Sequence, residues 1–256
     1  MPHLPSPDHA VASFAGADAL KFLQSQLTND VAALAVGAWQ WQGYCSAKGR
    51  LQATFTLARL ADDAFAAVIH QSTVDSLLKR LAMFRLRSKL AIEKSTSLTA
   101  ILHLDEAPNP VNHRASLDLG HGRWITIDDT PQPASVGDSS DFMSTWNQRG
   151  IEALQPEIVA ATHEMFVPQM IAWDVVEPHG GVSFSKGCYP GQEVVARAHY
   201  RGAVKRHLER QTLPSSSDVY APGLAITLAD GRDAEVCNVV QRADRTDALV
   251  VASAPT

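Results

Sequence analysis

The chain has 256 residues, 45% hydrophobic and 19% charged, which excludes a disordered or fibrous protein and is enough for one large domain or two smaller ones. Its formal net charge of −5 gives no overall attraction to nucleic acid or to an anionic membrane, so such contacts need a local basic patch. No apolar run approaches the roughly 20 residues of a bilayer crossing, no signal peptide is legible, and three cysteines without a CxxC pair point away from a metal knuckle or disulfide framework and towards the cytoplasm.

In chain order, residues 16–27 are predicted as a helix with Leu20, Leu23 and Leu27 on one side. It stops near Asn29 and Asp30, whose side chains compete for backbone hydrogen bonds. Residues 39–45 and 51–59 alternate in polarity about Ala47-Lys48-Gly49-Arg50, a β-hairpin pattern. Residues 64–69 form a short buried strand. A helix follows from about Thr73, carrying Val74, Leu77, Leu78, Leu81 and Phe84 at helical spacing, with Ser72 and Asp75 as a capping-box-like start. Residues 84–94 alternate apolar with basic residues, as an exposed strand would. Residues 105–114 and 128–141 are loops rich in turn formers. A helical region from about Asp141 to Met170 is broken at Gly150 and Pro156. Beyond Lys205, short strands separated at 215–218, 230–231 and 244–247 form a small all-β module.

The chemistry concentrates in residues 180–201, GGVSFSKGCYPGQEVVARAHYR. Cys188 lies two residues after Lys186, so extended backbone would put both on one face, and a nearby ammonium favours thiolate over thiol. The competing reading is a small buried apolar cysteine. Pro190 and Gly191 stand where a type II turn wants them, and Gln192 and Glu193 place an amide and a carboxylate just after it. Arg197, His199 and Arg201 alternate, either as a charge-guarded strand edge or as a cradle for carboxylate or phosphate. A second basic segment runs through Lys79, Arg80, Arg85, Arg87, Lys89 and Lys94. Ten histidines without an HxxxH or HxH pair indicate no metal site. Trp39 and Trp41 share a strand face and fit a core or cavity wall better than a stacking platform.

The run 186–193, KGCYPGQE, resembles the signature of the YgfZ family, folate-binding relatives of the glycine-cleavage aminomethyltransferase. FLQSQLTND at 22–30 is similar to the family's FLQGQLTxD segment, with Ser25 where glycine is usual. AKGR at 47–50, LRSK at 86–89 and FVPQ at 166–169 resemble further segments, so the likeness covers essentially the whole chain. The resemblance implies an α+β fold, with intertwined GcvT-like subdomains around a central folate cavity (residues 1–204) and a small C-terminal β-barrel (residues 205–256). It also implies tetrahydrofolate, or a one-carbon-substituted folate, as cofactor. The implied role is accessory, in assembling or maintaining iron–sulfur enzymes, including those that modify tRNA.

The acidic GYTGEDGFE-like segment of the aminomethyltransferases has no counterpart; residues 119–124 read LGHGRW, and the strand at 64–69 is followed only by Asp75. An accessory folate-binding role is therefore expected over active aminomethyl transfer, and over a tRNA-binding module, which the negative charge disfavours. Residue type makes Asp30 and Glu193 the candidate pterin carboxylates, with Gln192 beside them, and Lys48, Arg197 and Arg201 the candidate cations for the glutamate tail. Cys188, assisted by Lys186, is the candidate functional thiol. It would react with a folate-borne one-carbon unit or ligate a cluster transiently, the remaining ligands coming from a partner because one cysteine cannot hold a cluster. The expected partners are folate and iron–sulfur enzymes or their assembly proteins, with no membrane and no strong direct nucleic-acid contact.

Overall fold

The computed structural model describes residues 2–129, 133–136, 138–175, 180–202, 204–214 and 219–254. The separator at 215–218, and residues 130–132 and 137 of the second loop, lie outside the described residues. The chain is α+β, built on three antiparallel sheets.

The first sheet has the order β3-β4-β5-β2-β6, from β2 (His9–Ala15), β3 (Trp39–Cys45), β4 (Leu51–Ala61), β5 (Ala64–His70) and β6 (Ala91–Lys94). Helices α1 (Ala19–Gln26) and α2 (Gln71–Arg85) cover one face, where Phe22, Leu23, Leu27, Val74, Leu77 and Leu81 pack on Phe14, Phe55, Leu57 and Ile69. Each such side chain removed from water contributes about 1.5–3 kcal/mol. Three elements before residue 85 follow the sequence pattern closely: α1, the β3–β4 hairpin and α2. The cap of α2 differs. His70 accepts the Ser72 amide on Nδ1 at 3.1 Å, and Asp75 pairs instead with Lys94 at 3.3 Å.

The opposite face of this sheet, through Val11, Ala58, Ala66 and Val68, packs on the second sheet and on α3 (Ser139–Glu152). The second sheet has the order β1-β7-β9-β8, from β1 (His3–Pro5), β7 (Thr99–Leu104), β8 (Ala115–Gly120) and β9 (Arg123–Asp128). The chain starts in this sheet, crosses to the first and returns, which interleaves the two layers. Gly150 does not break α3: a Cβ there would meet an Arg123 guanidinium nitrogen at 3.0 Å, so the glycine makes room for that side chain. Residues 84–94 are not one strand. The helix runs to Arg85, a turn follows, and only Ala91–Lys94 pairs.

The C-terminal strands β10 (Arg206–Pro214), β11 (Ala225–Thr227), β12 (Asp233–Gln241) and β13 (Arg245–Ser253) form an open sheet of order β10-β13-β12-β11. Among the described residues β10 and β11 are its edges, so the sheet is not a closed barrel. Leu249, Val251 and Val240 of one face join Cys45, Leu51, Phe166, Trp173 and Val195 in a core shared with the rest of the chain. The last helix, α4 (Gln192–Arg201), replaces the alternating strand expected around Arg197. It begins straight after Gly191, carries Glu193 in its first turn and His199 and Arg201 in its last, and the Glu193 and Arg201 charges interact favourably with the helix dipole at its two ends.

Candidate functional site

Four segments that carry the family resemblance meet in space. Tyr189–Gln192 is a type II turn: the Gln192 amide donates to the Tyr189 carbonyl at 3.2 Å, and Gly191 has φ 81°, ψ 0°. This turn lies flush against the 46–50 turn between β3 and β4. A Cβ on Gly191 would reach the Ser46 carbonyl at 2.3 Å, and one on Gly49 would reach Val194 Cβ at 2.8 Å. The 166–169 segment is tied in by the Leu51 amide donating to the Phe166 carbonyl at 2.8 Å and by Gln169 Nε2 donating to the Val195 carbonyl at 3.1 Å. Ser46 Oγ and Tyr189 Oη, one from each turn, are buried and have no partner among the described residues.

Lys186 closes the junction from inside. It is buried, and its Nζ donates to the carbonyls of Leu27 at 2.5 Å and Asn29 at 2.9 Å, satisfying backbone of the extended segment that follows α1. The ammonium stands 5.5 Å from the Tyr189 ring centroid. Burial pushes it down to about 8, with Asp30 opposing. Cys188 is exposed, so the shared face expected of Lys186 and Cys188 does not exist. Lys186 is directed inward and Cys188 to solvent.

The remaining expected residues divide. Asp30 Oδ1 is engaged by Gln24 at 3.0 Å and by the Ala32 amide at 3.1 Å, a local turn cap. Lys48 is exposed on the 46–50 turn; Gln192 is half-buried. Glu193, Arg197 and Arg201 are exposed and fall four residues apart on α4, one helix face rather than the alternating strand edge expected.

None of these residues lines the cavity at the meeting of the three sheets. That cavity encloses about 220 Å³, with Trp41 and Trp146 among its aromatic walls and Thr56, Arg123, His9 and Glu157 among its polar groups. Arg123 is buried, and its guanidinium lies 5.2 Å from the Trp146 ring centroid and donates to Gln155 Oε1. Burial pushes it down to about 10, Glu157 opposing. Arg123 Nε and Thr56 Oγ1, both buried, have no partner among the described residues. Buried polar groups are rarely left so, and each costs about 1–3 kcal/mol. Trp41 contacts Trp39 and Trp173 edge-on, in keeping with a cavity wall. No local motif marks His9, Arg123 or Glu157, and they come from distant parts of the chain; the one signal for Arg123 is Gly150 inside a helix.

His9 Nε2 meets Glu157 Oε1 at 2.8 Å, and Ser6 Oγ lies 2.7 Å from His9 Nδ1. Burial alone would lower the imidazole, but the Glu157 charge and hydrogen bond outweigh it and raise it above 6.5. Burial likewise works to raise the Glu157 carboxyl, and His9 outweighs it, holding it below 4.5. The raised histidine contributes stability that is complete below 6.5 and lost as pH climbs through its folded value. The depressed carboxylate contributes stability that is complete above 4.5 and lost as pH falls through its folded value. Urea unfolding should therefore find Glu157→Gln most costly between pH 4.5 and 6.5, by about 1–2 kcal/mol given the partial exposure of Glu157. A loss independent of pH would refute the ion pair.

This architecture, two interleaved α+β layers with a third sheet closing a central cavity, defines a GcvT-like protein. Residues 10–105 match the GCVT N-terminal domain. The glycine cleavage aminomethyltransferase of Bartonella henselae superposes with a TM-score of 0.63 over 96% of this chain and 76% of its own, at 11% identity, a likeness of fold alone. A Haemophilus influenzae protein is 32% identical over 75% of this chain and 66% of its own length. The tRNA-modifying protein YgfZ of Yersinia pestis is 32% identical over 78% of this chain and 68% of its own, and that of Pectobacterium carotovorum 33% identical over 78% and 67%. The chain belongs to the YgfZ family. It spans about two thirds of the length of these relatives.

Proposed function

We propose that the chain is a tetrahydrofolate-binding accessory protein that helps assemble or maintain iron–sulfur enzymes, among them enzymes that modify tRNA. The observation that carries the folate reading is the central cavity with its unpartnered Arg123 Nε and Thr56 Oγ1. A pterin is a flat ring with a donor–acceptor edge, and this donor set fits it: aromatic walls at Trp41 and Trp146, a hydroxyl, a guanidinium and a carboxylate. Such pockets are mostly apolar with a few convergent polar groups. Arg123 would orient the ring, held by Trp146 and Gln155, while Glu157 accepts from ring N–H groups and His9 keeps that carboxylate charged. Tetrahydrofolate bound there would supply a carrier for one-carbon units. Lys48, Arg197 and Arg201, outside the cavity, are left for the anionic glutamate tail, and Cys188 for the thiol chemistry. The missing acidic segment favours this role over aminomethyl transfer: the 119–124 turn offers the cationic Arg123 instead.

Calorimetric titration of tetrahydrofolate into the purified chain tests the reading. We expect saturable heat and a rise in Tm, since a ligand that binds only the native state stabilises it. Arg123→Ala should weaken binding by about 10- to 100-fold, the loss of one charge-assisted contact. Neither heat nor a thermal shift with the wild type would end the folate assignment. Unchanged affinity in Arg123→Ala would move the site elsewhere.

A further inference from the structure

The turn after α2 carries a feature that neither the cavity nor the thiol uses. The Ser88 amide donates to the Arg85 carbonyl at 2.8 Å, closing a turn in which Leu86 has φ 46°, ψ −110°. That is the first central position of a type II′ turn, where glycine is the ordinary residue. Leu86 is 85% exposed, and Met83 and Phe84 beside it are 64% and 42% exposed. Leu86 thus combines backbone strain with an apolar side chain left in water, a pairing that marks functional surfaces.

Alongside runs a groove of about 780 Å³ between α1 and this turn, lined by Phe22, Phe84 and Leu86 and bordered by Lys21 and Arg87. Among the described residues none of Lys21, Arg85, Arg87 and Lys89 is in an ion pair. Asp18, the acid of the groove, accepts the Lys89 backbone amide at 2.6 Å. Cations that outnumber the groove's one acid around an apolar floor are unexpected on a chain whose net charge is −5.

We infer that this groove docks a partner protein through an acidic segment bearing one or two bulky apolar side chains. The apolar side chains seat against Phe84 and Leu86, while flanking carboxylates meet Lys21, Arg87 and Lys89. Charge complementarity selects an anionic occupant. The exposed Leu86 and Met83 select protein over RNA, because base recognition wants aromatic faces to stack on and the most exposed apolar side chains here are aliphatic. The groove is separate from the folate cavity, and the inference does not depend on that ligand.

The test is fluorescence anisotropy with the full chain and three labelled probes. These are a short peptide with leucines spaced four apart among glutamates, the same peptide with lysine for every glutamate, and unfractionated tRNA. The acidic peptide should bind saturably and the lysine peptide should not. Leu86→Gly should weaken the acidic peptide by about tenfold, as loss of an interface anchor does, while raising Tm because glycine relieves the turn. Arg87→Glu should weaken it comparably with Tm unchanged. Four results would overturn the proposal: no saturable peptide binding, equal binding of the two peptides, a lower Tm for Leu86→Gly, or a chain dimer in sedimentation velocity that Leu86→Gly dissolves. Tight tRNA binding that competes with the peptide and is indifferent to Leu86→Gly would assign the groove to nucleic acid instead.

Discussion

Iodoacetamide at neutral pH is expected to modify Cys188 alone among the three cysteines of the folded chain. Cys45 is 1% exposed and Cys237 0%, and burial pushes both thiols up to about 12. At neutral pH their thiolate fraction is on the order of 10⁻⁵, and the reagent reaches them only through local opening. Cys188 stands exposed before a tight turn and needs no opening. A rate ratio of at least about 10³ follows, measured by peptide mapping of a labelling time course. Comparable labelling of Cys45 or Cys237 would show that the core around β3 and β12 opens readily. The functional counterpart is Cys188→Ser. It should fold, bind tetrahydrofolate and still fail to restore iron–sulfur enzyme activity in cells lacking the chain; full rescue would remove the thiol from the mechanism.

Gly191→Ala is expected to cost about 2–4 kcal/mol of stability, measured by urea unfolding. An alanine in left-handed backbone costs about 1 kcal/mol by itself. The rest comes from contact: the new Cβ would meet the Ser46 carbonyl at 2.3 Å and the Gly49 Cα at 2.8 Å, backbone atoms that cannot swing aside as a side chain can. The two motif turns would have to separate. Gly120→Ala is the control, because Gly120 has φ +75° and nothing within 4 Å of the added Cβ; it should lose only the conformational part. Equal losses at the two positions would mean that the junction of the turns tolerates a methyl group and that Gly191 serves the turn alone.

Much of this fold is legible locally. The β3–β4 hairpin, the face of α1 and the face of α2 follow from period-two and period-3.6 patterns that act within each segment. The type II turn at Pro190–Gly191 follows from two residues whose backbone preferences leave few alternatives. The family likeness is carried by contiguous motifs and is complete in the sequence. The helix α4 was not legible. Its alternating Arg197, His199 and Arg201 mimic a strand, and Val195 is its one fully buried residue, so no apolar stripe announces a helix. The open C-terminal sheet differs from the barrel that the resemblance implied because, among the described residues, β10 and β11 stay unpaired with each other.

The amino-acid sequence by itself determined which family the chain belongs to, which cysteine precedes the tight turn and which faces of α1, α2 and the β3–β4 hairpin turn inward. Only the tertiary structure decided which side chains share a site. His9 and Glu157 meet across 148 positions, and no local preference encodes such a pair. It forms because the first sheet, α3 and the C-terminal sheet each bury an apolar face against the next and leave their polar ends around one cavity. Lys186 shows the same division. Its spacing from Cys188 suggested a shared face, yet the segment that follows α1 presents carbonyls that need donors, and satisfying them outweighs leaving an ammonium in water beside a thiol.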